Sequence, residues 1–241
     1  MIFAAGLGTR LKPLTDHMPK ALIPVAGKPL LEHVILKLRD AGSEEIIINI
    51  HHFPEQIIKF VESKKHFNIN ITFSEERDQL LETGGGVRKA EQFLNDGKPF
   101  FVHNADILSN TDLKALYAQH QRTLPLATLV VSERKTFRYL LFDDELQLRG
   151  WINEKTGEIK PSEFSKPELY HKLAFSGIQV LSPVVFDLMR NNENRFSITD
   201  FYLSHVAQRR ILGYRQDGFK MIDVGKTEAL SEAESFFNTN L

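Results

Sequence analysis

The order of apolar runs in this 241-residue sequence predicts an α/β chain, with a mostly parallel central sheet in the first half and mixed pairing in the second. Three observations carry that prediction. Short apolar runs alternate with segments of helical period from residue 2 to residue 102. The runs Ile2 to Ala5 and Ile46-Ile47-Ile48 are continuous, as in strands buried on both faces. From residue 126 onward, strand-like runs follow one another with only turns between them.

Ile2 to Ala5 reads as a buried strand stopped by Gly6. Pro29 opens a helix whose Leu30, Leu31, Val34, Ile35 and Leu38 share a face, and Gly42 ends it. Ile46-Ile47-Ile48 is a second strand, and Pro54 starts a helix with Ile57, Ile58 and Val61 inward. Ile69, Ile71 and Phe73 alternate as a third strand. The segment after Gly86 reads as a helix through Phe93 and Leu94, and Phe100-Phe101-Val102 is a fourth strand. Residues 126–133, 138–142, 146–152 and 172–181 read as strands, with turns at Asp143-Asp144 and Thr156-Gly157. Ser197 is placed to cap a helix, and Ala229, Leu230, Ala233, Phe236 and Phe237 stripe a last one after Gly225. No linker, repeat or low-complexity stretch interrupts the chain. The simplest organisation is one domain over 1–241, made of halves 1–122 and 123–241.

Composition narrows the function. Lys plus Arg number 30 and Asp plus Glu 31, a net charge of −1, which disfavours non-specific nucleic-acid or membrane-surface binding. The absence of cysteine excludes disulfides, a thiol nucleophile and a cysteine zinc site. The start does not read as a secretory signal, and no apolar run is long enough to span a bilayer, so a cytoplasmic location is expected. Partners are expected to be small molecules, without nucleic acid or membrane.

Ligands of open parallel sheets sit beyond the carboxyl ends of the strands. Gly6-Leu7-Gly8-Thr9-Arg10 follows the first strand directly. Its glycines allow a tight turn and let backbone N–H groups approach an anion. Arg10, Lys12, Lys20 and Lys28 face only Asp16 in this stretch, a local basic excess in a neutral chain. A polyphosphate would account for both features; a tight turn beside solvated lysines is the other reading. A dinucleotide fingerprint would want Gly or Ala where Leu11 stands, and Pro13, Pro19 and Pro24 keep the segment irregular. A Walker loop ending at Gly225-Lys226-Thr227 would need glycine where Lys220 stands, so that tripeptide is read as a turn.

Gly6-Leu7-Gly8-Thr9-Arg10-Leu11-Lys12-Pro13-Leu14-Thr15, then Pro19-Lys20-Ala21-Leu22, then Pro24-Val25-Ala26-Gly27-Lys28-Pro29-Leu30, resembles the signature of sugar-1-phosphate nucleotidylyltransferases. The resemblance implies a Rossmann-like, three-layer nucleotidyltransferase fold of the GT-A kind. It implies that the loop Gly6, Leu7, Gly8 and Thr9 wraps the triphosphate of an NTP, that Arg10 holds the leaving pyrophosphate, and that Lys20 meets the α-phosphate.

Asp106 lies just past the fourth strand, in His103-Asn104-Ala105-Asp106. A carboxylate there can hold Mg²⁺, which takes one or two carboxylates plus phosphates and waters; capping the next helix is the alternative, and Asp112 or Asn110 would serve that equally. The family often has glycine where Ala105 stands. The resemblance makes Asp223, in Ile222-Asp223-Val224-Gly225, the second metal ligand, and Asn104 a nucleotide contact; Asp217 is a rival in an Asp-Gly turn. Leu81-Glu82-Thr83-Gly84-Gly85-Gly86 is expected to lie ahead of a helix, where bare backbone could receive a flat ligand. The family reads the base there, which assigns Thr83 and Gly84. Glu154-Lys155 resembles the family's pair on the sugar phosphate, without its usual following proline, and a solvated turn is the equal alternative. Ser176-Gly177 resembles its sugar-contacting turn.

The version of these motifs is similar to N-acetylmuramate-1-phosphate uridylyltransferases and mannose-1-phosphate guanylyltransferase-like proteins. The implied reaction is NTP plus sugar 1-phosphate to NDP-sugar plus pyrophosphate, with UTP and N-acetylmuramate 1-phosphate as the pair and cell-wall recycling as the role. GTP with a mannose or heptose phosphate, CTP with a phospho-alcohol, and a non-catalytic nucleotide-sugar-binding protein stay open. His51-His52 reads as strand-end packing rather than metal ligation, and Trp151 as core rather than a ligand platform. Only five residues precede Gly6, so either strand one is short or the native start lies upstream.

Overall fold

The structure is a computed structural model, and it describes residues 1–225 and 228–240. Lys226 and Thr227 of the expected turn, and the side chain of Phe237 in the expected last stripe, lie outside the described residues.

In chain order the strands are β1 (Ile2–Phe3), β2 (Pro24–Val25), β3 (Lys28–Pro29), β4 (Glu45–Ile50), β5 (Asn70–Glu75), β6 (Phe100–Asn104), β7 (Ile107–Ser109), β8 (Ala127–Ser132), β9 (Arg138–Phe142), β10 (Leu148–Asn153), β11 (Glu158–Lys160), β12 (His171–Leu181), β13 (Ile211–Tyr214) and β14 (Met221–Asp223). The helices are α1 (Leu30–Asp40), α2 (Pro54–Ser63), α3 (Glu82–Lys89), α4 (Glu91–Leu94), α5 (Leu113–Thr123), α6 (Val185–Met189), α7 (Ile198–His205) and α8 (Glu228–Asn240).

The chain forms two compact units. One comprises Met1–Leu81, Val102–Lys114 and Lys220–Leu241, the other Glu82–Phe101 and Ala115–Phe219. The boundary at 122 expected from sequence does not separate them. Residues 82–101 leave the first half for the second unit, and the described residues from Lys220 onward return to the first. Turn signals mark where the chain bends, and they carry no information about which unit a segment rejoins.

In the first unit β6, β1, β4 and β5 lie side by side in that order, all parallel. Ile2 pairs with Ile48 on one side and His103 on the other. The chain moves outward from β1 to β4 to β5, then returns to the opposite flank of β1. The order therefore reverses between β1 and β6, the position at which parallel sheets open a crevice beyond their carboxyl ends. Helix α1 buries Leu30, Leu31, Val34, Ile35 and Leu38, as their spacing predicts, and the chain turns away at Gly42 with φ 101°. The ribbon of β14 antiparallel to β7 sets Asp223 opposite Ile107. Beneath it Leu11, Ile23, Val25, Leu30, Leu108, Val224 and Ala233 form one apolar cluster, which Met18, Ile222 and Leu230 extend.

In the second unit β8 pairs antiparallel with the long β12 and parallel with β13, while β9, β10 and β11 continue from β12 as antiparallel hairpins. This is the mixed pairing expected. The Ser197 hydroxyl accepts from the N–H groups of Thr199 and Asp200 and caps α7. His120 is fully buried between Thr128 and Ser182, at 2.9 and 3.1 Å.

One element differs from expectation. Gly84-Gly85-Gly86 do not precede a helix; they lie inside α3, which begins at Glu82. A β-carbon on Gly84 would stand 2.3 Å from the Phe196 ring and 2.9 Å from the Phe196 carbonyl. Close packing of the 196–198 segment therefore overrides the poor helix propensity of glycine.

Candidate active site

The glycine loop is held in shape from behind. Gly8 has φ 65°, a left-handed conformation natural to glycine, and a β-carbon there would meet the Thr15 methyl at 2.8 Å. Thr15 is buried, and its hydroxyl donates to the Gly8 carbonyl at 2.9 Å. Residues Thr9–Leu11 then make a turn of 3₁₀ helix. That turn buries Leu11 in the apolar cluster and leaves Thr9 and Arg10 exposed. Gly6 and Leu7 are exposed as well.

Lys20 donates to Asp106 in a short ion pair, with Lys20 mostly buried. Asp106 is not a helix cap: the residues after it form β7. Its carbonyl accepts from Val224 N–H at 2.9 Å, so Asp223, one residue earlier, stands beside it. A β-carbon on Gly225 would lie 2.8 Å from Asp223 Oδ1 and 3.0 Å from Arg10 Nη2, which sets the Arg10 guanidinium beside the second aspartate. Thus Arg10, Lys20, Asp106 and Asp223, spread over more than 200 positions, converge at the end of the first unit where β1 and β6 terminate. Asn104, the last residue of β6, pairs with Phe3 next to them. Ala105 is buried, so its methyl fills core where the family often has glycine. Lys12 is spent on Asp16 at 3.1 Å, on the surface.

These residues suit a divalent cation of the hard, oxygen-seeking kind. Among the described residues no cluster of three or more His, Cys, Asp and Glu could hold a metal. Asp106 lies just before β7 and Asp223 stands opposite Ile107, and an ion taking one or two carboxylates completes its shell with phosphate and water.

The second unit carries the other expected residues. Thr83 Oγ1 accepts from Ile198 N–H at 2.9 Å, and Gly84 N–H donates to the Phe196 carbonyl at 2.9 Å. Glu154 pairs with Lys172 at 2.8 Å, both about 40% exposed, and Lys155 is exposed in the turn. Ser176 is buried with no hydrogen-bond partner for its Oγ, and Gly177 has φ 71° where the β12–β8 register shifts. Trp151 is half-buried, with the Lys160 ammonium 5.4 Å from its ring centre.

His51 and His52 bond to the carbonyls of Glu76 and Thr15 at 2.5 and 3.3 Å, as strand-end packing requires. Sequence reading passed over three polar residues around the site. Lys37 of α1 donates to the Ser109 carbonyl at 2.7 Å, and burial lowers its pKa to about 8. Asn49 and Glu76 are buried at the carboxyl ends of β4 and β5. The available signal was Asn49 standing alone in the apolar run Ile46–Ile50.

The chain is 31% identical over 244 residues to the N-acetylmuramate alpha-1-phosphate uridylyltransferase of Neisseria meningitidis, covering 98% of this chain and 96% of that protein. It is 29% identical over 229 residues to the mannose-1-phosphate guanyltransferase of Saccharomyces cerevisiae, covering 94% of this chain and 61% of that one. Among solved structures it shares the fold of HddC from Yersinia pseudotuberculosis complexed with GMP-PN (TM-score 0.76, 23% identity, 98% and 97% covered). A UDP-glucose pyrophosphorylase complexed with UDP-glucose shares it too (TM-score 0.79, 21% identity, 100% and 98% covered). The family model for nucleotidyl transferases matches residues 1–240, and the chain belongs to that family.

Proposed function

We propose that this chain joins an NTP to a sugar 1-phosphate, releasing pyrophosphate and forming an NDP-sugar, with UTP and N-acetylmuramate 1-phosphate as its substrates. The observation that carries the reaction is the convergence of Arg10, Lys20, Asp106 and Asp223. The substrate pair is supported by a uridylyltransferase relative that matches over nearly its whole length. A role in cell-wall recycling and a cytoplasmic setting follow from that substrate. Among the described residues no helix is long and apolar enough to cross a membrane.

A phosphate monoester loses its second proton near pH 6. The sugar phosphate is therefore already a charged nucleophile at neutral pH, and no general base is required. One of its oxygens attacks the α-phosphorus in line; the new P–O bond forms as the bond to the β-phosphate oxygen breaks, and pyrophosphate carries away the electron pair. The obstacle is repulsion between two polyanions. Mg²⁺ held by Asp106 and Asp223 would neutralise charge on the phosphates. Gly6, Leu7, Gly8 and Thr9 offer backbone to the triphosphate, Arg10 takes the leaving pyrophosphate, and Lys20 turns from Asp106 to the α-phosphate. Asn104, Thr83 and Gly84 are assigned to the nucleotide. Glu154, Lys155, Ser176 and Gly177 are assigned to the sugar phosphate, where the unpartnered Ser176 hydroxyl supports a polar ligand.

GTP with mannose 1-phosphate is the second reading, supported by the yeast relative. The test is magnesium-dependent pyrophosphate release from each of the four NTPs, against N-acetylmuramate, mannose and glucose 1-phosphates. Release only with UTP and the muramate sugar is the expected result. Release with another pair replaces the substrates and keeps the chemistry. Nucleotide binding without release for any sugar overturns the catalytic reading.

A further inference from the structure

Asn49 and Glu76 are 3% and 2% exposed and have no part in the chemistry above. Together they form a directed chain of hydrogen bonds. Asn49 Oδ1 accepts from Ala4 N–H at 2.8 Å; Asn49 Nδ2 donates to Glu76 Oε1 at 2.7 Å; Glu76 Oε2 accepts from Leu81 N–H at 2.8 Å. The two ends are telling. Ala4 stands two residues before Gly6, and Leu81 is followed directly by Glu82-Thr83-Gly84. Burying a carboxylate is costly, and apolar side chains of similar volume would hold two strand ends together at least as well. What an apolar pair lacks is direction: it could give the Leu81 N–H no acceptor, and the Ala4 N–H no second acceptor beside the Asn49 backbone carbonyl at 3.2 Å.

We propose that Glu76, acting through Asn49, is a positioning residue for the nucleotide. It sets the segment that enters the glycine loop and the segment that enters the base-reading helix, and it accepts bonds from both sides, leaving the reading of the base to other groups. This rests on the nucleotidyl-transfer reading of those two segments.

The donor and acceptor pattern supplies a sharp test. Both ends of the chain are N–H donors, so its middle must hold one amide and one carboxylate. Glu76→Gln alone sets an NH₂ group against another donor. Asn49→Asp alone sets two carboxylate oxygens against each other. The double substitution N49D/E76Q restores every bond with the middle one reversed, since the new carboxylate accepts from Ala4 and from the new amide, whose oxygen accepts from Leu81.

NTP affinity is measured by calorimetry with magnesium and no sugar phosphate, on wild type, both singles and the double, using whichever NTP the wild type turns over. Amide exchange at Ala4 and Leu81 is followed in parallel. Each single is expected to weaken NTP binding about tenfold and to speed exchange, the scale of one mismatched buried bond. The double is expected to recover both, with KM for the sugar phosphate unchanged throughout. Singles that bind as tightly as wild type, or a folded double no better than the singles, overturn the proposal. If the singles do not fold, the double decides alone: wild-type affinity with slow exchange supports the proposal, and weak binding overturns it. A wild type that binds no NTP instead overturns the nucleotide reading beneath it.

Discussion

At the scale of single residues, Asp106 bears the heaviest demand. It pairs with Lys20 in the free chain and is the proposed metal ligand, so its charge matters more than its shape. Asp106→Asn keeps the shape and removes the charge. Pyrophosphate release under saturating magnesium is expected to fall about 10³-fold, the scale of losing a group that stabilises a transferring phosphoryl. The melting temperature should fall as well, because the mostly buried Lys20 ammonium loses its charged partner, and a fall in rate measured well below that midpoint separates the two effects. A variant turning over near the normal rate would remove Asp106 from the metal. Asp106 drew notice by type and by its place just past a strand, whereas Arg10 and Lys20 were singled out among the basic residues of 10–28 only by their place in the family's motif. Thr83 and Gly84 were legible only in part, since the sequence shows a small-residue stretch but not that Phe196 packs against it.

At the scale of elements, the site depends on a ribbon rather than on a helix. The pairing of β7 with β14 brings Asp223 next to Asp106, and the apolar cluster beneath contributes the immediate neighbours of the site residues: Leu11 beside Arg10, and Val224 beside Asp223. Leu108, two residues after Asp106, is 4% exposed in that cluster. Leu108→Ala should lower unfolding free energy by about 2–5 kcal/mol, from lost burial and the cavity left behind. It should also lower kcat by loosening the two aspartates relative to each other. Urea unfolding and steady-state rates on one preparation separate the two effects; full activity in a destabilised variant would mean the ribbon does not set the site. Helices α1 and α2 were readable from period and caps because their buried faces repeat every three to four residues. The short β7 and β14 were not, since three-residue strands leave no period to read.

At the scale of the whole molecule, stability is expected to depend on two buried imidazoles. Burial pushes the pKa of His103 down to about 3 and that of His120 down to about 4, from an ordinary value of 6.5. The unfolded chain takes up these protons below pH 6.5 and the folded chain does not. Their contribution is therefore complete above pH 6.5 and is lost as pH falls toward 4 and then 3. At pH 4.5 each imidazole is expected to cost about 2–3 kcal/mol relative to neutral pH. Melting curves from pH 7.5 to 4.5 should show a falling midpoint, with a shallower fall in His103→Asn. A midpoint flat over that range would contradict the assignment.

The division between one-dimensional and three-dimensional information follows from range. The strand–helix alternation, the Ser197 cap, the glycine loop with its basic neighbours, and Asp106 at a strand end are local, each specified within about ten residues by periodicity, backbone freedom or charge. They were enough to indicate α/β architecture; phosphate chemistry was read from the resemblance of residues 6–30 to a family motif. The adjacency of Asp223 and Asp106, the return of the described residues from Lys220 onward to the first unit, the reversal of strand order at β1, and the buried chain through Asn49 and Glu76 are long-range. Each joins segments whose separation in sequence carries no physical signal. Only packing, which removes water and leaves every buried donor needing an acceptor, could bring those segments together.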